Sequence, residues 1–313
     1  MPPGHQGPGG GVTAAAGARV ISRRQLLALV ALTLMWGINW PMMKLSLREL
    51  TPMYFRALTM SCGAAFLYGW YRARGLRMWP QGAEWRSVLV IGAPNMLGWH
   101  ALSILGVKEL ASGRAAILGF TMPIWTVLLG VLALGERLTR RVAVAVLAAA
   151  AAIALLAAGE LTALAGRPLG IVWMELAALC WAVGTLLIRR SALTLPVETL
   201  TVWTMILAAA CLWLIAAASE PWPAWQFSAA MWASLAYGAF INYGFAQTLW
   251  ASLARQLPPA TSAMSIMAIP LIGTLSATFI VGEWPHWQDY AAIGAVMLAI
   301  GAVLLPPRKR STP

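Results

Sequence analysis

Side chains able to do chemistry are sparse in this sequence, and most lie inside long apolar runs. Two ionisable groups fall deep in such runs, His100 and Glu175. A titratable group in apolar surroundings is costly to keep charged, so each is a candidate for taking up a proton during a working cycle. Amides form a second class. Asn39 shares a helical stripe with Trp36, Trp40 and Met43 at i, i+3, i+4 and i+7, and Asn95 shares one with Gly98, Trp99 and Leu102. Asn242, Tyr243 and Gln247 repeat the second arrangement. An amide among apolar residues must find a partner, so each of these either lines a polar cavity or ties two helices together. Trp36 and Trp181, each about twelve residues into an apolar run, read as an aromatic wall or as plain packing.

The same inventory excludes other chemistry. His5, His100 and His286 are too scattered for a metal pair, and Cys62, Cys180 and Cys211 all sit in apolar runs without a ligand spacing. There is no Gly-rich phosphate loop ending in Lys-Ser or Lys-Thr, and no histidine and carboxylate accompany a nucleophile at a shared depth. No metal, cofactor or catalytic residue is implied.

The elements that must position these residues follow from composition. The chain has 313 residues, 60% apolar and only 10% charged, where a soluble domain carries roughly 25% charge. Apolar surface on that scale calls for lipid as solvent. Ten windows can each form a helix across the hydrocarbon, near 25–44, 53–71, 87–106, 112–134, 142–159, 170–189, 199–219, 230–251, 260–281 and 289–306. The expected fold is therefore an all-α integral membrane protein of ten transmembrane helices. Residues 1–18, rich in Gly, Pro and Ala, read as a disordered N-terminal extension, and 307–313 as a cytoplasmic tail. Trp79, Trp85, Trp222, Trp225, Trp284 and Trp287 fall at window ends, where tryptophans form an interfacial belt.

The formal charge of +12 is an orientation signal rather than a nucleic-acid surface. With the N-terminus placed in the cytoplasm, sixteen of the 22 Lys and Arg face inward against Glu84, Glu136 and Glu198, leaving +13 there. Six basic residues, including Lys44 and Arg56, then balance six acids outside, and Glu175 is the remaining term. The positive-inside rule puts both termini in the cytoplasm.

A shift of 147 residues lays Asn95 on Asn242, Leu102 on Leu249, Pro123 on Pro270 and Gly135-Glu136 on Gly282-Glu283, while Trp36 meets Trp181 at a shift of 145. Two units of five spans result, 25–159 and 170–306. Because five is odd, the second must be inverted in the membrane, a geometry suited to opening a central site to either side in turn. Pro123 and Pro270, at corresponding mid-membrane places, predict interrupted helices that serve as hinges beside a cavity. Glu136 and Glu283 read as braces at helix ends, Glu136 with Arg140.

The sequence Met35-Trp36-Gly37-Ile38-Asn39-Trp40, followed by Lys44 and Arg56, then Pro123 and Leu134-Gly135-Glu136-Arg137-Leu138 with its echo Val281-Gly282-Glu283, resembles the EamA-type transporters of the drug/metabolite transporter superfamily. The resemblance implies ten helices in two inverted EamA repeats, cytoplasmic termini and movement of small metabolites, often export of amino acids or related compounds. The second unit departs from the pattern, with Ala182 for Gly37, Arg189 for Lys44 and no basic residue near Thr201 to match Arg56. The expected function is secondary transport of a small organic, amino-acid-like or drug-like solute across an inner membrane by alternating access, with lipid and solute as partners and proton coupling through Glu175 or His100. An uncoupled facilitator is the alternative, and an integral membrane enzyme a distant one.

Overall fold

The computed structural model describes residues 22–162, 167–191, 193–256 and 267–304, and all regular structure among them is helical. The expected extension at 1–18 and the tail at 307–313 lie outside the described residues. In chain order the helices are α1 (Arg23–Ser46), α2 (Pro52–Ala73), α3 (Glu84–Glu109), α4 (Ser112–Leu134), α5 (Arg140–Thr162), α6 (Leu169–Arg190), α7 (Val197–Ser219), α8, α9 (Ile269–Ile280) and α10 (Trp287–Leu304). Helix α8 runs without a gap through Ala229–Ala236, Tyr237–Ala246 and Gln247–Gln256. Among the described residues six helices, α1 and α3 to α7, are long and apolar enough to cross a membrane, and α9 is a shorter apolar one.

Local sequence sets the helix ends. Ser22 caps α1, its hydroxyl accepting from the Gln25 amide at 3.2 Å while Gln25 returns its side-chain oxygen to the Ser22 amide at 3.0 Å. Pro52 opens α2, where a missing N–H is tolerated. Gly135 and Gly282 follow α4 and α9 with φ of +67° and +76°. That left-handed exit accounts for the repeated Gly-Glu pair, and the next amide closes identically in both units, Glu136 N to Gly130 O and Glu283 N to Ala277 O.

Helix packing carries the duplication into three dimensions. Helix α1 lies on α9 as α6 lies on α4, α3 on α6 as α8 on α1, and α2 on α8 as α7 on α3. The pairs α2 with α7, α4 with α9 and α5 with α10 map onto themselves. Exchanging each helix with the one five places on preserves these pairs, as expected of two repeats, while α1–α4, α2–α3 and α4–α10 are closer than their counterparts. The α5–α10 pair meets through Ala145, Ala149 and Ala152 on one side and Ala292, Val296 and Ala299 on the other, small enough for close backbone approach.

The outward faces are apolar. Phe279 is 88% exposed, and Leu132, Leu147 and Leu214 stand equally clear of the bundle, a surface that lipid and not water would cover. Trp79, Trp222, Trp225, Trp284 and Trp287 are exposed as well, while Trp85 is half-buried against Trp203.

Candidate functional site

Two segments inside the bundle depart from α-helical geometry at matching places. Ala93–Gly98 of α3 and Tyr237–Ala246 of α8 are π-helical, and they hold Asn95 and Asn242. Pro94 lies in the first segment only, so proline is not the common cause. In a straight α-helix Asn95 and His100 would point about 140° apart. Bonding from i to i+5 widens the turn beyond 3.6 residues and swings the fifth residue back toward the first, which removes that limit for Asn95 with His100 and for Asn242 with Gln247.

The amides then behave differently. Asn95 donates to the Trp181 carbonyl at 3.4 Å, against a stretch of α6 where Gly184 leaves room for its Cβ, so it ties α3 to α6. Asn39 and Asn242 are buried, Gln247 is half-buried, and among the described residues no side-chain hydrogen bond holds any of the three. Trp36 and Trp181, equivalent in sequence, do not face each other. Trp36 packs on Trp250 with ring centroids 5.6 Å apart, and Trp181 on Trp99 at 5.4 Å.

Next to these lies a cluster that composition had placed elsewhere. Arg56, counted above with the outer loops, is 3% exposed in the second turn of α2. One terminal nitrogen donates to the Tyr243 hydroxyl at 3.2 Å and the other to Ser103 Oγ at 3.3 Å. Tyr243 in turn lies 3.1 Å from His100 Nδ1, so α2, α3 and α8 converge on one hydroxyl. The arrangement that uses the Tyr243 hydroxyl both ways has it accepting from Arg56 and donating to His100 Nδ1, which puts the imidazole proton on Nε2. His100 and Glu175 are thus not the only deep ionisable groups. The signal was present in the sequence, because Arg56, Met60, Gly63 and Leu67 form one stripe of α2, and its other members are small or apolar.

Glu175 occupies a separate place. Its carboxylate accepts from Trp125 Nε1 at 2.7 Å and from Thr121 Oγ1 at 3.1 Å. Those donors flank the break in α4, where Phe120 and Thr121 interrupt the helix before Pro123 starts its second half. Pro270 likewise stands at the start of α9, just after the turn at Ala268. Among the described residues no contact joins Glu175 to His100.

The two ends of the bundle differ. At the end holding the α1–α2 turn, Lys44 at the close of α1 donates to the carbonyls of Val107, Lys108 and Leu110 at 2.8 to 2.9 Å, using all three ammonium hydrogens on the C-terminus of α3. Glu283 accepts from the Ser112 amide at 2.7 Å and hydroxyl at 2.6 Å, seated on the N-terminus of α4. Glu220 does the same for the Met53 and Tyr54 amides at the start of α2, and Glu49 for Ser228 at the start of α8. The Ser228 hydroxyl and amide hold the Glu49 carboxyl below the usual carboxylate range. Arg48 reaches the Val281 carbonyl, Arg114 pairs with Asp289 and Arg167 with Glu109.

At the opposite end the repeat-equivalents of Lys44 and Glu283 are Arg189 and Glu136. They meet each other loosely at 3.6 Å, both well exposed, and with Leu134, Leu186 and Arg190 they line a pocket of about 180 Å³. The brace expected between Glu136 and Arg140 is thus made with Arg189, because α6 ends beside the α4–α5 turn.

Comparison with known proteins agrees with this architecture. The model of the EamA-like transporter family matches residues 23–158 and again residues 168–305. An uncharacterized transporter of Bacillus subtilis, YoaV, is 21% identical over 250 residues, covering 79% of this chain and 85% of its own length. An uncharacterized inner membrane transporter of Escherichia coli K12, YedA, is 24% identical over 288 residues, covering 90% and 92%. One protein crystal structure superimposes with a TM-score of 0.64 at 22% identity, over 91% of this chain and 98% of that one, which shows a shared fold.

Proposed function

Because the chain belongs to the EamA-like transporter family, we propose that it is a secondary transporter, and not an enzyme, which exports a small organic, amino-acid-like or drug-like solute across the inner membrane by alternating access. In this reading ten helices span the membrane as two inverted repeats, both termini are cytoplasmic, and the end holding the α1–α2 turn faces outward. The observation that carries it is the unequal treatment of equivalent residues. Lys44 and Glu283 seal one end by capping α3 and α4, while Arg189 and Glu136 meet only each other, exposed beside a pocket at the other. Inverted repeats that exchange conformations would reverse these roles, closing the inner end and leaving Lys44 and Glu283 exposed. In this reading the outer end is closed, and the inner end has only that exposed pair in the equivalent place.

Asn39, Asn242 and Gln247, with Trp36, Trp99 and Trp181, line the solute path, and Asn95 fixes its wall. Pro123 and Pro270 mark the hinges in α4 and α9, where a proline removes one helical hydrogen bond. Glu175, beside the α4 break, is the better-placed proton carrier, since protonation would release Trp125 and Thr121 and so touch the hinge itself. His100 is the second candidate.

Reconstitution into proteoliposomes tests the reading. Saturable uptake of a labelled metabolite with counterflow is expected, lost in part when Glu175→Gln and His100→Ala are combined. Unsaturable flux would mark a facilitator or pore, chemical conversion an enzyme, and proton-dependent transport in the double variant would remove the coupling role.

A further inference from the structure

Among the described residues Arg56 is a buried cation with no carboxylate partner. Its guanidinium is enclosed, yet its two hydrogen bonds go to neutral hydroxyls, Tyr243 at 3.2 Å and Ser103 at 3.3 Å, and its Nε has no partner. Among the described residues no carboxylate approaches it. A guanidinium carries five N–H donors in a planar fork that matches a carboxylate through Nε and one terminal nitrogen. Here that fork is half used, and the unused side includes Nε.

The surroundings narrow what would complete it. Tyr243 stacks edge-on with His100, with ring centroids 5.3 Å apart, and His100 neighbours Trp99 at 6.5 Å, which packs on Trp181. A row of aromatic rings therefore leads away from the cation, Tyr243 first, then His100 and Trp99. A second negative charge would want a second cation, and Lys44, at the close of α1, has all three donors committed to carbonyls at the C-terminus of α3.

We propose that Arg56, assisted by Tyr243 and His100, receives the single carboxylate of the transported solute, whose apolar body lies toward Trp99. This rests on the transporter reading and gives it a substrate class, a monocarboxylate or a zwitterion bearing one. A purely structural arginine would be matched by an acid or replaceable by an apolar side chain of similar volume. Arg56 has neither a carboxylate partner nor a fully used fork. The second repeat has no basic residue near Thr201, as expected of a site that binds one end of an oriented solute.

The test is calorimetric titration of the full chain in nanodiscs with three probes of like shape, namely phenylacetate, phenylacetamide and phenethylamine, with acetate and indole-3-acetate extending the size range. Phenylacetate is expected to bind about tenfold tighter than the amide or the amine. Arg56→Gln should erase that preference, whereas Arg56→Lys keeps part of it, since the charge remains but the fork is lost. Equal affinities for anion and amide, no binding of any carboxylate in the millimolar range, or a full preference in Arg56→Gln would each overturn the proposal. Should Arg56→Gln fail to fold, Arg56→Lys and Tyr243→Phe decide. A weakened phenylacetate affinity with that of phenylacetamide unchanged supports the site, and an undiminished preference in both rejects it. Carboxylate preference without counterflow in proteoliposomes would remove the transport reading and leave the site standing. Counterflow of a solute without carboxylate preference would do the reverse.

Discussion

Asn95 and Asn242, 147 residues apart, each lie in a π-helical segment of their own repeat, but among the described residues only the Asn95 side chain is bonded, to the Trp181 carbonyl at 3.4 Å. The pair sets a helix tie beside a buried amide that no side-chain hydrogen bond holds among the described residues. Asn242→Ala should leave thermal stability nearly unchanged and lower transport at least several-fold. Asn95→Ala should lower the melting temperature of the purified protein by about 2–4 °C, the shift expected for the loss of roughly 1 kcal/mol. A stability loss in Asn242→Ala equal to that in Asn95→Ala would assign both to packing.

Lys44 acts on the backbone. Replacing it by Met leaves the last carbonyls of α3 without their shared donor, at a cost of about 1–3 kcal/mol. The α1–α2 end should loosen first, so backbone amides of 107–112 are expected to exchange with deuterium faster in Lys44→Met than in the wild type. Unchanged exchange there would show that water replaces the ammonium without loss.

Gly63 makes room for Tyr243. A Cβ at this position would collide with the Tyr243 side chain. Gly63→Ala therefore pushes Tyr243 off Arg56 and His100, with an overpacking cost of about 1–3 kcal/mol. Transport and carboxylate binding should both fall, and Gly69→Ala, in the same helix with open space at its Cβ, is the matched control expected to change neither.

Much of this architecture is legible in the sequence, for definite reasons. Apolar windows, the 147-residue offset and the repeated Gly-Glu pair follow from composition and spacing, and Gly135 and Gly282 carry the positive φ that their position after a helix requires. The break in α4 follows from Pro123. Other features depend on partners far along the chain. Arg56 looks like a loop charge because it lies four residues into α2, and only α3 and α8, at Ser103 and Tyr243, enclose it. No residue type encodes a π-turn, so the π-helical segments that hold Asn95 and Asn242 are not legible in the sequence. The different partners of Lys44 and Arg189, three α3 carbonyls against Glu136, are set by which helix ends lie beside them, not by spacing along the chain.

The Glu49 carboxylate links the α1–α2 turn to α8 through Ser228, outside the apolar helices. Its folded pKa lies below the ordinary value of 4.5 because the ionised form accepts both Ser228 hydrogen bonds. A depressed carboxylate contributes stability above its unfolded pKa and loses it as pH falls through the folded one. The melting temperature of Glu49→Gln should accordingly lie below the wild type at neutral pH, and the difference should close under acid conditions, below the usual carboxylate range. A difference independent of pH would mean that the carboxylate is not the acting group.

Exchange between an end that is sealed and one that is open is the step on which the transport reading depends, and Ser112 with Glu283 sits across the sealed end. With Cys62, Cys180 and Cys211 replaced by Ala, Ser112→Cys and Glu283→Cys together place two thiols across the contact that now holds α4, to be joined by a reducible bifunctional methanethiosulfonate. Counterflow in proteoliposomes should stop when the pair is cross-linked and return when the link is reduced. Counterflow that continues at full rate with the link formed would contradict alternating access through this end.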